Sequence, residues 1–221
     1  MDATETLAAL KRGRTDHVLD LIGQATAEQL TEAMGHAAYF GDVTAVRLLL
    51  NAGVPLASQG GDLGLMAASF HGHWRLVQFL IEQGADANFK DTETGETPLH
   101  AVLTNEDRIA YDRVVQVLFA AGADVNAATH PGIATGSLMR DAFTRGETPL
   151  HRAAIYGTSA TVKLLVEAGA HINARDAHGE TPLGWASWAR RPAEVLRALL
   201  YGEHQLREGH RGMRENLLGD P

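Results

Sequence analysis

A short sequence motif recurs along this chain and limits the folds open to it more than any other feature. Gly-Glu-Thr-Pro-Leu occurs at residues 146–150 and again at 179–183, which places Thr148 and Thr181 33 residues apart. A third copy occupies residues 95–99. A second phrase of the type Ala-Gly-Ala-Asp-Val-Asn recurs in phase with the first, and its copies lie at residues 83–88, 121–126 and 168–173. Two motifs that repeat together predict a stack of similar units.

The residues of one unit predict two short helices joined by a turn. Thr148 can cap a helix N-terminus, and Pro149 suits the first helical position because its missing N–H needs no partner there. Gly157 is predicted to end the first helix in a left-handed conformation. Thr26 and Gln29 have the spacing of a capping box, which predicts another helix start. The second helix is expected to turn three apolar side chains towards the core: Val162, Leu164 and Leu165.

These motifs and their period resemble the ankyrin repeat, a helix–turn–helix unit that stacks into a solenoid. The resemblance covers about residues 4–202 and implies an all-α fold of about six units with β-turn fingers. We expect a small, stand-alone, bacterial member with one domain over residues 1–221. Its predicted parts are an N-terminal cap at 1–30, units at 31–62, 63–91, 92–142 and 143–175, a C-terminal cap at 176–202, and a terminal helix or tail at 203–221.

The unit at 92–142 carries two insertions, since Thr97 and Thr148 are 51 residues apart instead of 33. Four extra residues fall within 103–113 and predict a longer helix or a longer helix–helix loop. The other 14 fall within 127–144 and predict a longer finger, which is either a neutral loop or a functional arm. Because the flanking helices should carry the stacking, we expect the chain to fold without residues 128–141.

The resemblance also implies where a partner binds. In ankyrin proteins a concave surface is built from the finger tips and from two variable positions near the end of each first helix. Rigid aromatic side chains at such positions are typical of binding hot spots, and the acid-rich fingers favour a partner with a basic face. The predicted partner-binding residues are Tyr39, Phe40, Phe70, His71, Thr104, Asn105, Ile155, Tyr156 and Trp188 on the helices, and Met139, Phe143, Arg145 and His178 on the fingers and insertion.

Composition excludes several classes of function. The chain has no cysteine, which excludes disulfides, zinc–thiolate sites and a cysteine nucleophile. Its net charge of −8 argues against nucleic acid and anionic membranes as partners. No segment approaches the roughly 18 apolar residues of a membrane helix. We therefore expect a cytoplasmic protein that binds an unidentified protein, needs no cofactor or metal, and is a monomer by itself.

Eleven histidines raise the alternative of an enzyme or ligand-binding protein that uses a histidine-rich face and the 127–144 insertion. The resemblance, however, implies that His100 and His151 hold their turns by bonding to the backbone and a threonine, and that Asp176 makes a turn. His71 and His73 lack the third and fourth ligands that zinc requires. No nucleophile elbow, phosphate loop or dinucleotide fingerprint is present. We expect no enzyme; a self-associating structural protein is the remaining alternative.

Overall fold

The computed structural model describes residues 2–104, 108–136 and 142–201. Within these residues, twelve α-helices form six helix–turn–helix pairs, which confirms the all-α solenoid. In chain order the pairs are α1 Ala3–Leu10 with α2 Val18–Leu21, α3 Ala27–Tyr39 with α4 Val43–Asn51, α5 Leu65–Phe70 with α6 Trp74–Glu82, α7 Pro98–Val102 with α8 Arg108–Ala120, α9 Pro149–Tyr156 with α10 Ser159–Glu167, and α11 Pro182–Trp188 with α12 Ala193–Tyr201. Short 3-10 turns occupy Thr15–His17 and Leu56–Gln59.

The helices form two layers with the core between them. The first helices of successive pairs pack on one another from α1 to α11, and the second helices form a parallel row. In that row, Thr161 on α10 donates a hydrogen bond of 2.9 Å to Asp112 on α8. One continuous apolar cluster runs from Leu10 to Leu199. No single pair encloses its apolar face, so each unit depends on its neighbours for burial.

Local capping explains why the helices begin where they do. The backbone N–H of Thr26 donates to Gln29 Oε1 at 2.9 Å, and Gln29 N donates to Thr26 Oγ1 at 3.3 Å, which confirms the capping box. In the fifth unit Thr148 N donates to His151 Nδ1 at 3.1 Å. Since Nδ1 accepts, the His151 Nε2–H is the donor to the Glu180 carbonyl at 3.1 Å in the next unit. His151 thus holds its own turn and ties two units together.

Gly157 departs from the prediction made for it. Its backbone is extended, with φ −76° and ψ 164°, so the expected left-handed conformation is wrong. Glycine is needed there for a different reason, because a Cβ would lie 2.5 Å from the Ala153 carbonyl oxygen. The left-handed conformation occurs instead at the corresponding residues of other units, Gly41, Gly72 and Arg190.

The two insertions take different forms. Helix α8 has 13 residues, four more than α4, α6 or α10, so the first insertion lengthens a helix. In the second insertion, β1 Ala134–Thr135 pairs antiparallel with β2 Ala142–Phe143. Residues 127–144 therefore include a small β-hairpin, a structure that the sequence pattern did not predict. The unit boundaries and the single domain stay predictions, and the proposed tail at 203–221 lies outside the described residues.

No helix in the described part of the chain combines the length and apolar character needed to cross a bilayer.

Candidate functional site

The inserted finger is anchored to the solenoid by buried carboxylates. Thr129 Oγ1 donates to Glu147 Oε2 at 2.6 Å, and Thr135 Oγ1 lies 3.0 Å from both carboxylate oxygens of Glu96. Within the finger, the Gly132 N–H donates to the Thr144 carbonyl at 2.7 Å. The finger is therefore packed as part of the fold. Removal of residues 128–141 would leave two buried acids without these donors. That the shortened chain folds stays a prediction, and these contacts argue against it.

A buried arginine links the same two carboxylates. Arg152 is fully buried on α9, and its Nε and Nη2 lie 3.0 and 2.6 Å from Glu147 Oε1. Its Nη2 also pairs with Glu96, and its Nη1 donates to the His100 carbonyl at 3.2 Å. This cluster joins the fourth unit, the finger and the fifth unit. Sequence analysis missed it, although an arginine inside the apolar run of residues 149–155 was a visible signal.

The cluster shifts the ionisation of its members in ways that follow from burial and charge. Burial would raise the pKa of Glu147, but the adjacent Arg152 guanidinium and the donors around it hold that pKa at about 2. Burial, assisted by the Arg152 charge, lowers the pKa of His100 to about 3. The carboxylate is therefore ionised and the imidazole neutral at pH 7. Both states suit fixed hydrogen bonding and leave neither group free to exchange protons near neutral pH.

Next to this cluster, the finger and the last two units enclose a pocket of about 310 Å³. It contains five of the residues predicted to bind a partner, which come from the hairpin, from the segment between the hairpin and α9, and from the ends of α9 and α11. We call it the finger pocket. Its lining residues are Ala142, Phe143, Arg145, Ile155, Tyr156, Glu180, Gly184, Trp185 and Trp188.

The aromatic walls of the finger pocket differ in exposure. Trp188 is 79% exposed and Phe143 is 60% exposed. Trp185 is buried at the base, where its Nε1–H donates to Asp176 Oδ2 at 3.1 Å. The same Asp176 oxygen lies 3.5 Å from Arg145 Nε. Asp176 thus fixes both the buried indole and the guanidinium that line the pocket.

Asp176 also has the turn-making role implied by the resemblance. Its Oδ1 accepts hydrogen bonds of 2.9 Å from the backbone N–H groups of His178 and Glu180. Burial would raise the pKa of Asp176, but these donors and the Trp185 indole hold it below its ordinary value. The carboxylate is ionised at neutral pH, so it balances the charge of Arg145.

A second group of predicted residues lies at the ends of α3 and α5, and we call it the aromatic patch. Tyr39 is 56% exposed, and its ring centroid lies 5.1 Å from that of Phe40 and 4.6 Å from that of His71. His71 in turn lies 5.2 Å from Phe70. The rings contact one another edge to face and form a continuous surface on which Tyr39, Phe40 and Phe70 are exposed and His71 is half-buried. It is defined by these four residues: Tyr39, Phe40, Phe70 and His71.

The remaining predicted residues do not join either group. Thr104 is half-buried, and its hydroxyl donates to the Ala101 carbonyl at 2.8 Å. His178 is exposed at its finger tip but does not line the finger pocket. Asn105 and Met139 lie outside the described residues. The rings of His71 and His73 are stacked with their centroids 5.8 Å apart. His73 Nε2 contacts the Tyr39 carbonyl at 2.8 Å, so this nitrogen already has a backbone partner.

Comparison with known proteins agrees with this architecture. Human Rabankyrin-5 is 47% identical over 66 residues, which covers 30% of this chain and 6% of that protein. The mouse B-cell lymphoma 3 protein homolog is 35% identical over 122 residues, covering 55% and 23%. The mitochondrial disaggregase of Bos taurus is 32% identical over 172 residues, covering 68% and 24%. The chain therefore spans less than a quarter of the length of each of these relatives.

A family model described as ankyrin repeats matches in three copies, at residues 6–91, 34–129 and 130–208. Together the copies span most of the chain and overlap all six helix pairs. The chain belongs to the ankyrin-repeat family.

Proposed function

We propose that this protein holds a partner protein on its concave face, through the aromatic patch and the finger pocket. One observation carries the proposal. In the described part of the chain seven large hydrophobic side chains are exposed, and five of them are predicted partner-binding residues: Tyr39, Phe40, Phe70 and Trp188 at the ends of first helices, and Phe143 in the inserted finger. Exposed aromatic rings are costly in water and are the usual anchors of protein interfaces.

The charge of the chain indicates the kind of partner. A net charge of −8 repels phosphate-rich surfaces and attracts a basic protein face. We infer that the chain acts in the cytoplasm as an adaptor, scaffold or inhibitor, and that it is a monomer by itself. Light scattering of the purified chain tests the last point, and a concentration-dependent oligomer would favour self-association instead.

We infer that the chain is not itself an enzyme, in keeping with a repeat family that serves mainly for protein interaction. His100 and His151 are fully buried, and both ring nitrogens of each contact protein groups. Such imidazoles are unable to reach a substrate. The disaggregase match covers 24% of that protein, so it supports a shared repeat and gives no ground for a shared activity.

The test begins with capture of a partner from native cells on the immobilised chain, followed by its identification and purification. Calorimetry then compares wild type with the double variant Tyr39→Ala/Phe70→Ala, which should weaken binding at least tenfold, about 1.4 kcal/mol. Leu19→Ala is the matched control, because Leu19 is 60% exposed but lies on α2, outside both surfaces. Equal losses in the double variant and the control, or no loss in either, would refute the proposal.

A further inference from the structure

The finger pocket has a chemistry that the aromatic patch lacks, and this allows its occupant to be specified. We propose that the finger pocket receives a cationic side chain, arginine or lysine, from the partner protein. The inference deepens the proposed function and rests on it, because it names what one part of the binding surface recognises.

The walls suit a cation. Phe143, Tyr156 and Trp188 line the sides, and Trp185 forms the base. The faces of aromatic rings carry negative electrostatic potential and attract ammonium and guanidinium groups, tryptophan most strongly. Since Trp188 is 79% exposed, its indole has surface free for such a contact. The pocket already shows this preference internally, because the Arg145 guanidinium lies 5.7 Å from the Trp185 ring centroid.

The charge balance of the pocket leaves one carboxylate unmatched. Arg145 is paired with Asp176, whose side chain is fully buried. Glu180 also lines the pocket, and its carboxylate forms no hydrogen bond or ion pair with any residue that the structure describes. Asp176 lies behind the pocket wall and balances Arg145, so the three charged groups together carry one net negative charge, that of Glu180. An incoming cation would pair with the Glu180 carboxylate.

A single glycine makes room for this carboxylate. In the fourth and fifth units the residue after Thr-Pro-Leu is histidine, whose ring bonds back to the capping threonine, as His151 does to Thr148 at 2.9 Å. In the last unit the same position is Gly184. A Cβ at Gly184 would overlap the Glu180 carboxylate. Without a side chain at residue 184, the exposed Glu180 carboxylate lies over Gly184 at the pocket wall, and a Cβ there would move it.

An apolar occupant is the natural competitor, since most of the wall is apolar. A leucine or phenylalanine side chain would also contact the rings, but it would cost the exposed Glu180 carboxylate part of its hydration without supplying a donor. A cation avoids that cost and gains the cation–π contact, so the arrangement favours arginine or lysine over an apolar residue of similar length.

The experiment uses the full chain and four soluble probes: the N-acetyl amides of arginine, lysine, norleucine and glutamate. The indole N–H resonances of Trp185 and Trp188 are followed by NMR, with Trp74 on α6 as an internal reference. We expect saturable shifts at Trp185 and Trp188 with the arginine and lysine amides, in the millimolar range of a single side chain, and at least threefold weaker binding of the norleucine and glutamate amides. Equal binding of the norleucine amide would overturn the proposal.

A charge-neutral variant sharpens the test. Glu180→Gln keeps the shape and should weaken arginine-amide binding at least threefold, while Glu167→Gln, an exposed acid at the end of α10, should not change it. Unchanged binding in Glu180→Gln would refute a cation site. The outcome is separable from that of the proposed function. If the captured partner needs Tyr39 and Phe70 but is indifferent to Glu180→Gln, the concave surface stands and the pocket inference fails.

Discussion

The first three units and the last three use the same helix pair but stabilise it differently. In residues 2–91 the buried polar side chains are Thr6 and Ser69, so the described core of that half is almost wholly apolar. In the second half, buried acids, threonines and histidines surround a buried arginine. The inserted finger accounts for part of this difference, because hydrogen bonds from its threonines to buried carboxylates attach it to the stack.

The two halves also present their aromatic residues differently. At the ends of α3 and α5 the rings pack against each other and form the aromatic patch. At the ends of α9 and α11 the hairpin lies beside the rings, and the result is an open recess, the finger pocket. In both halves the helix pairs place aromatic side chains at the ends of the first helices. Whether these side chains form a surface or line a recess depends on the segment that follows the pair.

The largest effect on stability is expected when the buried charge of Arg152 is removed. Arg152→Met should lower the free energy of unfolding by about 3–5 kcal/mol, because Glu96 and Glu147 would remain buried without their cation. Chemical denaturation measures the loss. Arg197→Met, at an exposed position of α12, should change stability by less than about 0.5 kcal/mol. A loss below about 1 kcal/mol in Arg152→Met would mean that the two halves are stabilised alike.

A smaller effect is expected when one anchor of the finger is removed. Thr135→Val keeps the side-chain shape but deletes the hydroxyl that contacts Glu96, and it should cost about 1.5–3 kcal/mol, the range for a hydrogen bond to a charged group. Thr44→Val is the matched control, since Thr44 is exposed on α4. If Thr135→Val were as harmless as the control in the same denaturation measurement, the finger would be a loosely attached loop.

The smallest expected effect is a difference between the two halves in how stability depends on pH. Burial lowers the pKa of His100 to about 3 and lowers that of His151, so the unfolded chain binds more protons than the folded chain below pH 6.5. Their contribution to stability is therefore complete above about pH 6.5 and is lost as pH falls towards 3. Glu147, with its pKa held at about 2, adds a loss of the same sign below about pH 4.5.

Denaturation at pH 7.5, 6 and 5 measures this slope. The double variant His100→Gln/His151→Gln should be less stable at pH 7.5 but should lose less stability on acidification. As the pH falls, hydrogen exchange should show the loss of stability mainly in α7 and α9 and less in α4 and α6. An unchanged slope in the double variant would show that these imidazoles do not control the acid response.

Much of the fold was predictable because its determinants are local or periodic. A threonine bonds a residue three positions on, and a 33-residue period sets where the next pair begins, so six helix pairs could be predicted from residue order. The same logic located the aromatic positions at the helix ends. It failed at Gly157, which is extended and whose lack of a Cβ allows a close approach to the Ala153 carbonyl oxygen.

Residue order was enough to predict the repeat, the helix starts and the segments that carry extra residues, and the family resemblance added the turn-holding histidines. The hairpin in the second insertion, its bonds to buried acids and the pocket that it forms beside α11 are visible only in the folded chain. The residues that make these contacts are far apart in sequence. Arg152 meets Glu96 across 56 residues and Thr135 meets Glu96 across 39. Such pairs leave no period in the sequence, and they form only when stacking brings the units together.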